Sequence, residues 1–164
     1  MSGDGAPAAP KPPARVNLRW AGEHRFDAGR PGGPTLRIDA SGETGQSPVD
    51  AMLSALAACT SVDVVDILAK RRTPLDELTV EVAGHRVTSI PRRLQRVQLA
   101  YALRGAAVER VHAERAVELA ITKYCSVRDS LAPDIAIEYE VAVNGEPGTV
   151  RLAAVGGAAE AEAP

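Results

Sequence analysis

The chain has 164 residues and a formal net charge of −2, with 45% hydrophobic, 24% charged and only 3% aromatic residues. That is the size and make-up of one soluble domain with a core of normal size, and it excludes a wholly disordered chain. It also argues against nucleic-acid binding driven by bulk positive charge, and against base stacking, since Trp20 and Phe26 are the single Trp and single Phe.

Residues 1–14 are rich in Pro, Ala and Gly and are expected to form a disordered tail. They lack the apolar segment of an export signal. The apolar stretch from Val49 to Ala58 is broken by Asp50 and Ser54 and falls far short of the roughly 20 residues of a spanning helix. The expectation is therefore a cytoplasmic chain with no membrane partner, one working domain over 15–152, and a loose tail over 153–164. A reducing compartment would keep Cys59 and Cys125 as thiols.

Short β-type pieces come first. Residues 15–20 alternate, with Val16, Leu18 and Trp20 on one face. A turn at Ala21-Gly22 leads to a second strand over 23–27, and the loop Arg30-Pro31-Gly32-Gly33-Pro34 leads to a third over 35–39. A long helix follows. Ser47 is its N-cap, Pro48 suits the first helical position, and Asp50 completes a capping box. No Gly or Pro interrupts Val49 to Lys70, so about 23 residues give a helix of roughly 35 Å. Its first half is apolar almost all round, which predicts burial on most sides. Lys70, Arg71 and Arg72 suit its C-terminal dipole, and Pro74 stops it.

Three alternating segments predict strands over 78–87, 94–103 and 135–143, each with one apolar and one polar face. A second helix is expected over about 107–123, with a stripe of Val108, Val111, Arg115, Ala116, Leu119 and Ala120. Ser126 and Asp129 form a further capping box that opens a short helix ending before Pro133. This order predicts an α+β fold with antiparallel sheet. The three histidines, His24, His85 and His112, fall in separate elements and read as surface residues. Two cysteines without further ligand spacing make a poor metal site, so no metal is expected.

The two cysteines have two readings. Both are small apolar side chains suited to a core. Alternatively, one is a reactive thiolate and the other its resolving partner. A reactive thiol must have its pKa lowered from about 8.5. Cys59 lies about three turns into its helix, where the N-terminal dipole has faded, and Asp63 at i+4 opposes ionisation. A cation from elsewhere is then needed. Cys125 has better local help, with Lys123 two residues back and the N-cap Ser126 next to it.

The run GQSPVDAMLSALAACTSVDVVDIL (45–68), with the later segment Lys123-Tyr124-Cys125-Ser126-Val127, resembles the OsmC/Ohr family over about residues 15–145. It is nearer to an OsmC-like branch than to the organic hydroperoxide resistance enzymes. The resemblance implies antiparallel sheets wrapped around two long central helices in an intertwined homodimer. It implies thiol-dependent reduction of organic hydroperoxides in oxidative-stress defence, recycled by a dithiol reductant and needing no cofactor. Cys59 then corresponds to the peroxidatic thiol and Cys125 to the resolving thiol. Arg37 matches the activating arginine, with Arg25 as the second candidate. The family's peroxidases carry a Glu two positions after the residue matching Ser47, and this chain has Val49 there. Glu43 is the expected substitute partner for the arginine. The alternative function is a non-enzymatic dimer that binds an apolar or lipid-like molecule at its interface, with the cysteines as packing. Proximity of the two sulfurs separates these readings.

Overall fold

The structure is a computed structural model that describes residues 11–153. The expected tails at 1–14 and 153–164 lie mostly outside this range. Residues 11–16 carry no regular structure and are exposed. The chain divides into two compact units, one ending at Ala51 and the other starting at Met52.

The first unit is a three-stranded antiparallel sheet of β1 (Asn17–Trp20), β2 (Arg25–Gly29) and β3 (Thr35–Asp39), in that order. Strand β2 starts two residues later than the sequence predicts. The turn before it takes Gly22 and Glu23 in left-handed conformations, closed by the Trp20 indole N–H donating to the Glu23 carbonyl at 2.8 Å. The register sets two chemically different faces. Trp20, Phe26 and Ile38 share one row and Leu18, Ala28 and Leu36 the next, all apolar. Arg19, Asp27 and Arg37 share a row on the opposite face. After β3 the chain loops back so that Ile38 bridges to Gln46. A Cβ on Gly45 would come within 2.4 Å of the Arg37 carbonyl oxygen, so this close approach needs glycine.

Helix α1 (Pro48–Lys70) starts where predicted. Ser47 N–H donates to the Asp50 carboxylate at 3.1 Å and Asp50 N–H to the Ser47 hydroxyl at 3.2 Å, the two bonds of a capping box. The helix buries one stripe, Leu56, Thr60, Val64 and Leu68 at i, i+4 spacing, rather than most of its surface. Val62, at 62% exposure, and Val65 and Met52 remain open. By length and composition the whole helix is long and apolar enough to cross a membrane, which corrects the expectation drawn from its first half alone.

The second unit holds a four-stranded sheet in the order β4 (Glu77–Arg86), β5 (Leu94–Arg104), β6 (Ala136–Val143) and β7 (Arg151–Ala153). The predicted alternations hold. Val97, Leu99, Tyr101 and Leu103 pair in register with Ile137, Tyr139, Val141 and Val143, and all eight are buried. The sheet is antiparallel except between β5 and β6, which are parallel. A parallel pair needs a long crossover, and residues 105–135 supply one. Strand β7 was not predicted, because three residues carry no periodicity. It reaches across the expected domain limit, with Ala153 buried and paired with Ile137. A Cβ on Gly84 would meet Leu94 and Leu53 within 3 Å, so the missing side chain lets α1 lie close to β4.

The crossover contains α2 (Arg110–Leu119), a π-helical turn at Ala120–Tyr124, and α3 (Ser126–Asp129). The buried face of α2 is Ala113, Ala116 and Val117, continued by Ala120 and Ile121. Val111 and Arg115 are exposed, so the stripe is turned from the predicted one.

Candidate functional site

Two buried helical surfaces bring the cysteines together. On α1, the stripe Leu56-Thr60-Val64-Leu68 fixes which way the helix faces, and Cys59 sits beside it, half-buried. On the crossover, the π-helical turn ends at Cys125, which leaves helical conformation with φ −73° and ψ 102° and is 3% exposed. π-Helical turns often mark functional positions, because one extra residue per turn re-aims the chain beyond them. Here the turn places the start of α3 against Cys59.

The N-cap of α3 is Cys125 itself, not Ser126 as the sequence predicts. Its sulfur accepts the backbone N–H of Arg128 at 3.3 Å. The Val127 N–H and the side chains of Cys125 and Ser126 lie close enough to the Cys59 sulfur to favour its thiolate. The first N–H groups of α3 are thus divided, Arg128 serving Cys125 within the turn and Val127 also serving a thiol carried by a different helix.

These contacts divide the two thiols. Burial pushes Cys59 up, and the Asp63 carboxylate adds to that. The donors from Val127, Cys125 and Ser126 outweigh both and hold Cys59 below the ordinary thiol value. Burial likewise pushes Cys125 up. The Arg128 N–H works against this, but the neighbouring Cys59 reinforces it, and Cys125 is raised to about 11. At neutral pH, Cys125 is the protonated donor and Cys59 the acceptor that ionises first. This reverses the sequence expectation that Cys125 has the better local help. Cys125 does receive helix-start N–H groups, but its burial and the neighbouring Cys59 outweigh them, whereas Cys59 is more open.

Beneath Cys59 lies a buried pair of hydroxyls. Thr60 Oγ1 and the Tyr101 phenol oxygen are 2.6 Å apart, and the Thr60 oxygen also lies 3.1 Å and 3.0 Å from the carbonyls of Leu56 and Ala57. Neither residue was singled out from the sequence. A polar Thr on the buried stripe was the available signal.

Arg37 lies on β3 of the first unit. Its Nε donates to Asp27 Oδ1 at 2.7 Å, and Arg19 reaches the other carboxylate oxygen at 3.3 Å. Arg37 thus has a carboxylate partner although position 49 is Val, but that partner is Asp27 and not Glu43. The hydrogen bond from Arg37, with the charges of both arginines, holds Asp27 below its ordinary value. Arg25 is paired with Glu23 at 2.7 Å on the same sheet. Among the described residues, no group of three or more His, Cys, Asp or Glu side chains is placed to hold a metal ion.

Comparison with known proteins agrees with this architecture. Residues 40–140 match the family model described as OsmC-like protein. Protein YhfA of Escherichia coli K12 is 30% identical over 130 residues, covering 77% of this chain and 97% of that protein. A hypothetical protein from Aquifex aeolicus VF5, with a solved structure, superposes with a TM-score of 0.73 at 26% identity, covering 81% of this chain and 97% of that one. The organic hydroperoxide resistance protein OhrB of Bacillus subtilis shares the fold at a TM-score of 0.54 and 17% identity, with 80% and 97% covered. With the family match spanning well over half the chain and its α+β architecture reproduced in these relatives, this chain belongs to the OsmC-like family.

Proposed function

We propose that the chain is a two-cysteine peroxidase acting on organic hydroperoxides. The Cys59 thiolate attacks the outer oxygen of the O–O bond, and the alcohol leaves after taking up a proton. Cys59 becomes a sulfenic acid. The Cys125 thiol then attacks the Cys59 sulfur, a disulfide forms and water leaves. A dithiol reductant returns both thiols by exchange. The observation that carries this reading is the meeting of the two cysteines at the start of α3, where the Val127 N–H, Cys125 and Ser126 favour the Cys59 thiolate. It supplies a stabilised thiolate with its resolving thiol already in reach, which favours chemistry over packing. Cys59 is also the more accessible of the two, as the attacking sulfur must be.

Arg37 is proposed as the fixed cation that stabilises charge during peroxide cleavage. Arginine stays charged when desolvated, and the Asp27 contact holds its guanidinium in place. A homodimer is proposed to cover the apolar surfaces. Trp20, at 67% exposure, and Leu18 and Leu36 lie bare on one face of the first sheet, and Met52, Val62 and Val65 lie bare on α1. A cytoplasmic location is proposed because the cycle requires free thiols.

The test is oxidation of the reduced protein with one equivalent of cumene hydroperoxide, followed by thiol counting and mass spectrometry. The expected product is one intrachain Cys59–Cys125 disulfide, with one equivalent of alcohol released. A sulfenic acid that persists on Cys59 beside a free Cys125 removes the resolving role. Unreacted thiols remove the activity. Sedimentation of a stable folded monomer near 17 kDa at micromolar concentration removes the dimer.

A further inference from the structure

We infer that Tyr101 and Thr60 are positioning residues for the thiol pair, a buried two-hydroxyl latch that keeps the Cys59 turn of α1 in register with the Cys125 turn. The inference rests on the two-cysteine site above, but it concerns parts of the molecule that site does not use.

The geometry fixes the direction of the latch. Thr60 has one hydroxyl proton and two backbone carbonyls, of Leu56 and Ala57, at 3.1 Å and 3.0 Å. With that proton committed to the helix, the 2.6 Å contact is made by the Tyr101 hydroxyl donating to Thr60 Oγ1. Both residues are within 1% of complete burial, so neither hydroxyl has water as an alternative partner. Any rotation or slide of α1 against β5 breaks the bond and strands the Tyr101 hydroxyl in the core, while Thr60 keeps its carbonyl partners on the helix. Two apolar side chains at these positions would tolerate such a slide, and it is this tolerance that the polar pair removes.

The latch touches both halves of the site. Thr60 is the residue after Cys59 on α1. Tyr101 stands on β5, an interior strand of the four-stranded sheet and the one from which the crossover carrying Cys125 departs. The latch thereby ties the Cys59 turn to the strand that leads into the Cys125 turn. The arrangement that it protects is demanding, because groups from α1 and from the start of α3 must meet at one sulfur. Small displacements of a reacting pair cost rate steeply.

The test uses the full-length reduced protein and diamide, a thiol oxidant that needs no hydroperoxide. Tyr101→Phe and Thr60→Val are each expected to slow Cys59–Cys125 disulfide closure about tenfold or more. Each is also expected to move the iodoacetamide pH profile of Cys59 upward, read by peptide mass spectrometry. Thr60→Ser, which keeps the hydroxyl, is expected to retain the native rate and profile. Circular dichroism identifies any variant that fails to fold, and the Thr60→Ser and Thr60→Val pair carries the test if Tyr101→Phe does so. Native closure rates and profiles in folded Tyr101→Phe and Thr60→Val overturn the inference. So does slowing by Thr60→Val alone, because the phenol would then play no part. If the unmodified protein closes its disulfide with diamide but consumes no hydroperoxide, the peroxidase reading falls while the latch stands.

Discussion

Two turns of this molecule collect hydrogen-bond donors around one acceptor, with opposite results. In the loop after β3, the Asp39 carboxylate takes the hydroxyls of Thr44 and Ser41 at 2.7 Å each and their backbone N–H groups at 3.0 Å each. In the turn before α3, the donors converge instead on the Cys59 sulfur. Both acceptors are held below their ordinary pKa, for the same reason: the charged form is better hydrogen-bonded than the neutral one. Asp39 is 2% exposed and its donors belong to its own loop, so its stabilised anion only ties that loop together. Cys59 is half-open and its donors come from a distant part of the chain. Stabilising an anion makes it inert when the shell is closed and makes it available when one side is left free.

Replacing the open acceptor should have the largest effect. Cys59→Ser is expected to lower hydroperoxide consumption at least about a thousandfold, the scale at which a nucleophile's loss is felt. Activity near the unmodified level in a coupled peroxide assay would take Cys59 out of the chemistry. Arg37→Met is expected to slow the reaction by about one to three orders of magnitude and to raise the Cys59 alkylation midpoint. Coincident alkylation curves would return Arg37 to a surface role and make Arg25 the next candidate.

A smaller change tests the donor shell itself. Ser126→Ala removes one hydroxyl from beside the Cys59 sulfur and is expected to raise its alkylation midpoint, by less than Arg37→Met does. In the unmodified protein, Cys59 should alkylate with a midpoint below the ordinary thiol value and Cys125 with one at about 11. The sign for stability comes from Cys125. A folded pKa raised above the unfolded value gives stability that is complete below the unfolded value and is lost as pH rises toward 11. Asp39→Asn should have the least effect on thiol reactivity and should leave the Cys59 profile in place. Its effect is local, seen as faster amide exchange over 40–46. Because Asp39 is lowered in the fold, its contribution is present above the ordinary carboxylate range and lost as pH falls below it. An unchanged exchange pattern would show that this loop does not depend on its anion.

Much of the architecture is legible in the residues themselves. The capping box at Ser47 and Asp50, and the alternation through Val97, Leu99, Tyr101 and Leu103, are local signals, and the structure obeys them. The family resemblance carried by the two cysteine segments is legible for the same reason, since each motif is contiguous. The features that escaped are set by register and by long-range packing. Asp27 is ten residues from Arg37, and only the β2–β3 register makes them neighbours. The Val127 N–H is invisible as a partner for Cys59 because every residue except proline carries a backbone N–H. The π-helical turn leaves no mark in a pattern that is read with an α-helical period. Thr60 reads as a tolerated polar interruption until Tyr101 is placed opposite it.

The crossover between β5 and β6 has a consequence for how the chain matures. Cys125 lies inside that connection, which joins the two strands of the parallel pair. Pairings of this kind join distant parts of the chain and are slow to form. The Val127 and Ser126 groups that favour the Cys59 thiolate lie more than sixty residues further along the chain, so only folding brings them to it. An unfolded chain therefore has two thiols of ordinary acidity, and the difference between them is a property of the fold. The acidity of Cys59 is in this sense a reporter of completed folding.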